Sequence, residues 1–262
     1  MSETFHALFD AADPDRSCIV SPDGSAVSYG ALGARSLGIA QGLKELGIAR
    51  GDAVALWAAN GPEWLAVFLA CTRLGAMAVG VNARFRGREI GELLARTQAR
   101  VLVADPMQGL TESREIFATI PQSDAATLRT ILVTGIPVDS SWGRYEPIPL
   151  AGLGARVEPI ANGCPEDPCI VFTTSGTTRA PKLVVHCQRG VVAHARDVAD
   201  AFGLRADSSR ILQILPFGGA FGFAEMLGAV AASCPLVVPP RFDPAEAARL
   251  ARAERKIGRA HV

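Results

Sequence analysis

Phe172 to His186 read FTTSGTTRAPKLVVH, and the fold of the whole chain turns on what that run is. Five hydroxylated residues (Thr173, Thr174, Ser175, Thr177 and Thr178) crowd around Gly176, with Pro181 and Lys182 close behind. Apolar stretches stand on both sides, so the local pattern is strand, hydroxyl-rich turn, strand. Such a turn offers backbone N–H groups and hydroxyls that can wrap an anion, and Lys182 adds a positive charge on a long stem. Phosphate is the natural guest. A solvated turn between two strands is the plain alternative.

The turn is not a Walker loop. Counted from Gly176, the chain reaches Pro181-Lys182-Leu183 where that pattern needs Gly-Lys-Ser/Thr. The chain also lacks a G-x-S-x-G nucleophile elbow and a G-x-G-x-x-G loop opening a helix.

Outward from the turn, helix and strand signals alternate. Tyr29, Leu32, Ser36, Ile39, Leu43 and Leu46 fall three and four apart, with Ser28 placed to cap the start and Gly47 the end. GDAVALWAA reads as a buried strand, Pro62 to Gly75 as a helix, AMAVGV as a strand, REIGELLART as a helix and ARVLVAD as a strand. Thr134 to Asp167, rich in Pro and Gly, reads as a long loop or a boundary. Beyond it come strands at PCIVFTT and KLVVH, a helix from Gly190 to Phe202, a strand at RILQILP, a helix around Glu225, a strand at PLVVPP and a last helix from Pro244. This order predicts an α/β fold: layered, mostly parallel sheets with helices on both faces, arranged as two α/β lobes. The expected lobes are residues 1–165 and 166–255.

Bulk properties narrow the class. The 262 residues are 49% hydrophobic and 20% charged, with 26 Lys plus Arg against 26 Asp plus Glu. That balance suits a globular protein and points away from a nucleic-acid partner. The six cysteines lack a C-x-x-C pair and read as reduced, mostly buried thiols. The N-terminus carries acids where an export signal needs a basic start, so a cytoplasmic location is expected. Ile211 to Pro240 has Glu225 as its only charge, but Pro216, Gly218, Gly219, Gly222, Gly228 and Pro235 break it into short pieces, so no membrane span is expected.

Thr174, Ser175, Gly176, Thr177, Thr178, Pro181 and Lys182 match, position by position, the loop T-S-G-[ST]-T-G-x-P-K-G-V of the adenylate-forming superfamily, to which acyl-CoA synthetases belong. VSYGALG through VNARF resembles that family's opening segment, and ILQILPFGGAFGF resembles the later segment bordering its acyl pocket. Three segments stand in family order. The resemblance implies an ATP-dependent carboxylic acid:CoA ligase that forms an acyl-AMP with release of pyrophosphate and passes the acyl group to CoA, using Mg²⁺. It implies phosphate binding by Thr173, Thr174, Ser175, Gly176, Thr177, Thr178 and Lys182. Phe217, Gly218, Gly219, Phe221 and Gly222 would border the acyl pocket, with simple packing about as well supported for the phenylalanines. Arg179 and Leu183 stand where the family loop has glycines, and Gly219 stands where many relatives have a histidine.

The family's later adenine- and magnesium-contacting segment and its catalytic lysine match nothing in these 262 residues. The chain is therefore expected to be the N-terminal part of such a ligase and inactive alone. A non-catalytic nucleotide- or acyl-binding module, or part of an amino-acid adenylation domain, are the alternatives. IGRAHV, Ile257 to Val262, coincides with one frame of a common sequencing adaptor, so 256–262 are read as an artefact. His186 and His194 read as ordinary residues of a strand end and a helix. Arg84, Arg86 and Arg88 read as a solvated turn, and Trp57, Trp64 and Phe68 as core.

Overall fold

The computed structural model of the chain describes residues 3–108, 111–135, 141–154, 159–174, 182–240 and 243–253. In chain order the first elements are α1 (Phe5–Asp10), β1 (Ser17–Val20), β2 (Ala26–Ser28), α2 (Tyr29–Glu45), β3 (Ala53–Trp57), α3 (Pro62–Leu74) and β4 (Met77–Gly80). Next come α4 (Gly87–Thr97), β5 (Val101–Ala104), the short pair β6 (Met107–Gln108) and β7 (Thr111–Glu112), α5 (Ser113–Ala118), β8 (Thr130–Val133) and β9 (Ile148–Pro149). The remainder is β10 (Pro168–Thr173), β11 (Leu183–Cys187), α6 (Gln188–Ala201), β12 (Ile211–Leu212), α7 (Ala220–Ala231), β13 (Leu236–Val237) and α8 (Pro244–Ala253).

Local chemistry explains the main boundaries. The Ser28 side chain accepts the Ala31 N–H and caps α2. Pro62 opens α3, and Gly75 closes it in the left-handed conformation. The stretch from Ile211 to Pro240 forms a strand, a helix and a strand, and no helix among the described residues is long and apolar enough to cross a membrane.

A seven-stranded sheet runs in the order β11-β10-β4-β3-β5-β8-β9, and a four-stranded one in the order β12-β13-β1-β2. All pairings in the large sheet are parallel except β10 with β11, and in the small sheet only β1 with β2 is antiparallel. Both sheets take strands from either side of residue 165. Sheet pairing therefore crosses that position: β10 lies beside β4 in the large sheet, and β1 has β13 as its neighbour in the small one.

Alternation along the central strands fills two cores at once. Val54 and Leu56 of β3 join the core shared with α2, α3, α6, α7 and the small sheet. Ala55 and Trp57 face the other core, beneath α4 and α5. From Trp64 to Leu74 every residue of α3 is buried, and Trp64 lies within 5.6 Å of Phe68 and 5.3 Å of Phe217, ring centre to ring centre. Burying each such large side chain contributes about 1.5–3 kcal/mol. Cys18, Cys71, Cys169 and Cys234 are buried and none of the six cysteines is in a disulfide. Burial pushes the Cys18 and Cys71 thiols up to about 12, which keeps them protonated and unreactive.

Candidate active site

The hydroxyl-rich run begins where β10 ends. Phe172 pairs with Val184 and Thr173 with Leu183 in the antiparallel register, and the Thr174 N–H donates to the Lys182 carbonyl at 2.9 Å. That bond closes the base of the β10–β11 hairpin and occupies the Thr174 backbone donor. Thr174 and Lys182 are both exposed. Ser175, Gly176, Thr177, Thr178 and Arg179 lie outside the described residues. Leu183, which stands where the family loop has glycine, is an ordinary strand residue packed against the second core. Strand geometry asks for no glycine there.

β10 runs parallel to β4, so the hairpin emerges at the carboxyl ends of the parallel strands, where ligands of open α/β sheets bind. The segment from Leu215 to Gly222 crosses the same end. Asn60, just past β3, holds it from two sides: its Nδ2 donates to the Leu215 carbonyl at 2.8 Å and its Oδ1 accepts the Phe217 N–H at 2.7 Å. Gln213, fully buried, donates from Nε2 to the carbonyls of Leu215 and Gly222 at 2.8 and 3.1 Å. The segment lies against β4 with almost no clearance. A Cβ on Gly80 would sit 3.0 Å from the Gly218 oxygen, and one on Gly222 would sit 2.3 Å from the Pro216 oxygen.

The five residues expected around an acyl pocket have different fates. Phe217 is wholly buried against Trp64, and Phe221 is 82% exposed. Gly218 packs on Val81, Gly222 makes the close approach just described, and Gly219 has room for a side chain. A cavity of about 350 Å³ does open beside this segment, between β10, β11, α6 and α7. Its apolar wall is Phe172, Val191, Phe223 and Leu227, with the small residues Gly190 and Ala220 at its edges, and His186 and His194 complete it. Phe172 and Phe223 meet edge to face at 5.1 Å, and Phe172 lies 6.1 Å from the His186 ring. From the sequence both histidines read as ordinary residues of a strand end and a helix, and the structure places them at the end of β11 and on α6. Their signal is periodicity: Lys182, Val184 and His186 share one face of β11, while Gly190, Val191 and His194 share one face of α6.

The nearest acid on α7 is Glu225, which reaches Gln213 Nε2 at 3.4 Å. Burial raises its carboxyl from the ordinary glutamate range to about 6. Among the described residues no group of three or more His, Cys, Asp or Glu stands together in a way that could hold a metal ion. Arg84 and Arg86 lie in and after a turn, with Arg86 opening α4.

A family model described as AMP-binding enzyme matches residues 8–258. Indoleacetate–CoA ligase of Aromatoleum aromaticum is 31% identical over 232 residues, covering 88% of this chain and 43% of that protein. Salicyl-AMP ligase / salicyl-S-ArCP synthetase of Mycobacterium tuberculosis is 31% identical over 261 residues, covering 95% and 44%. Among solved structures, the inhibitor-bound N-terminal domain of FACL13 from Mycobacterium tuberculosis shares the fold with a TM-score of 0.80 at 23% identity, over 97% of this chain and 61% of that one. The chain thus spans less than half the length of these two curated relatives.

Proposed function

Since the chain belongs to the family of AMP-binding enzymes, we propose that it is the N-terminal part of an ATP-dependent carboxylic acid:CoA ligase. The observation that carries this reading is the β10–β11 pairing, which sets Thr174 and Lys182 side by side at the carboxyl ends of the parallel strands, beside an apolar cavity. The cavity takes the body of the acid, and the hairpin takes the triphosphate.

The chemistry needs two displacements. A carboxylate resists nucleophiles because its leaving group would be oxide. One carboxylate oxygen therefore attacks the α-phosphorus of ATP, the bond from that phosphorus to the bridging oxygen breaks, and pyrophosphate departs. A thiol sulfur, deprotonated, then attacks the acyl carbon of the acyl-AMP, and AMP leaves with the electron pair of the broken C–O bond. This chain's part is to orient the reactants and to offset phosphate charge. Lys182 brings a positive charge to the β- and γ-phosphates, and the hydroxyls of Thr173, Thr174, Ser175, Thr177 and Thr178 donate to phosphate oxygens, with Gly176 permitting close backbone approach. Mg²⁺, expected from the resemblance, finds no ligand cluster among the described residues, and no step is assigned to it. CoA is the proposed acceptor. The salicyl-AMP relative, whose name includes an ArCP synthetase activity, favours a carrier-protein thiol as the second choice.

Acid-dependent exchange of labelled pyrophosphate into ATP tests the proposal. It is expected from a protein that joins this chain to the family's later segments, and not from the 262 residues alone. Exchange by the 262 residues would end the claim that they are inactive. Steady phosphate release without any acid would replace the ligase reading with that of a simple ATPase.

A further inference from the structure

We propose that His6 is a pH-sensitive lock on α1: the neutral imidazole holds that helix against the body of the protein, and protonation releases it. The residues involved take no part in the ligase chemistry above, so either reading can fail without the other.

α1 packs on four helices at once, α2, α3, α6 and α7. Its apolar side carries Phe5, 5.0 Å from the Phe68 ring, and Phe9, 5.0 Å from the Tyr29 ring. Buried polar groups moor it alongside. The Gln188 side chain, at the start of α6, accepts the Phe5 N–H at 3.0 Å and donates to the Thr72 carbonyl at 2.9 Å. Arg73 of α3 donates to the two carboxylate oxygens of Asp10 at 2.6 and 2.8 Å, and to the Ser36 hydroxyl of α2 at 2.9 Å.

His6 sits within this cluster and is only 5% exposed. Its Nε2 lies 3.4 Å from the Thr4 hydroxyl, and its Nδ1 is buried with no hydrogen-bond partner among the described residues. The packing beside it is tight: a Cβ on Gly163 would sit 3.2 Å from His6 Cε1 and 2.6 Å from Gln188 Nε2. The charged groups acting on the ring are Arg73 from α3 and Asp10 from α1, while the Thr72 backbone and the Gln188 side chain are its neutral neighbours. At the surface nearby, Arg189 pairs with Glu3 and Glu166. Asp10 is already committed to Arg73, so a proton on His6 would set a second buried positive charge against one carboxylate. Burial first, and then Arg73, hold the imidazole below its ordinary range, against the opposite pull of Asp10, Thr72 and Gln188.

Linkage sets the direction of the switch. In a released α1 the imidazole regains its ordinary pKa, about 6.5, and binds protons more readily than the docked one. Docking is therefore at full strength above that value and weakens as pH falls through it, by up to about tenfold per pH unit. Glu225 titrates nearby at about 6, but with the opposite sign: its raised carboxyl favours the folded form as pH falls.

Amide hydrogen exchange in the 262-residue chain at pH 7.5 and 5.5, corrected for intrinsic rates, tests the lock. The reporters are the Phe5 amide, bonded to Gln188, and the Leu8 and Ala12 amides, bonded to the Thr4 and Phe9 carbonyls. Their protection is expected to fall about five- to tenfold at the lower pH while β3 and β5 keep theirs. In His6→Gln the fall should disappear. Protection of α1 that ignores pH overturns the proposal, as does an undiminished fall in His6→Gln. A fall shared equally by β3 and β5 shows that α1 does not leave by itself, and overturns it too. Should the variant fail to fold, the ring titrations of the unsubstituted protein decide. His6 is expected to titrate below the exposed His186 and His194, and titration together with them would refute the lock.

Discussion

Replacing Asn60 with Ala should loosen the segment that roofs the proposed acid site. The side chain makes two bonds, donating to the Leu215 carbonyl and accepting the Phe217 N–H. The two losses are unequal. The Leu215 carbonyl keeps a partner in Gln213, so that side forfeits one net hydrogen bond, about 0.5–1.5 kcal/mol. The Phe217 N–H sits above a wholly buried ring and is left without its acceptor, which costs about 1–3 kcal/mol. Together they amount to roughly 1.5–4.5 kcal/mol, and solvent entering the half-buried site pulls the figure toward the lower end. Urea unfolding, followed through the fluorescence of Trp64 and its neighbours, gives the global change. Hydrogen exchange at the Phe217 amide gives the local one, with protection expected to fall tenfold or more. Asn60→Asp separates the two bonds: it keeps an acceptor for the Phe217 N–H but turns a carboxylate on the Leu215 carbonyl, so the amide should stay protected while stability still drops. If Asn60→Ala leaves both the midpoint and the Phe217 exchange rate unchanged, the segment is held by something other than this clamp.

Three further outcomes follow from particular contacts. Gly222→Ala drives a Cβ to 2.3 Å from the Pro216 oxygen, a backbone clash that should cost about 1–3 kcal/mol in the same urea assay. Leu183→Gly, which restores the family's residue, should destabilise by about 1–2 kcal/mol, because Leu183 packs on the second core from within a strand. Glu225→Gln should stabilise the protein at neutral pH. The folded-state carboxyl is raised to about 6 from 4.5, so the stability associated with its protonated form is complete below about 4.5 and is lost as pH rises through 6. The shift converts to about 2 kcal/mol, and partial solvent access reduces this to about 1 kcal/mol. The gain should show at pH 7.5 and vanish at pH 4. An equal gain at both would remove desolvation as its cause.

Much of this architecture could be read from the chain. The helix of Tyr29 to Glu45 announced itself by its stripe and its Ser28 cap, and the buried strands by short apolar runs that alternate between two cores. What periodicity could not supply was which strand pairs with which. Pairing crosses the division expected at residue 165: the partner of β4 is β10, more than eighty residues later, and β1 finds β13 at the other end of the chain. The site divides along the same line. Thr174 and Lys182 were legible as a turn after a strand. Phe217 and Phe221 looked alike in PFGGAFGF, yet one is buried and the other exposed, because Asn60 and Gln213 set the path of the backbone between them. His186 and His194 became neighbours of one cavity only once β11 and α6 were packed against α7.

The central claim is that the β10–β11 turn grips the phosphates of ATP, and a comparison of ATP with AMP binding before and after Lys182→Ala tests it most directly. Loss of a charge-assisted contact of about 1.5–3 kcal/mol should weaken ATP roughly ten- to a hundredfold while leaving AMP nearly untouched. Equal affinities for ATP in the two proteins would contradict it.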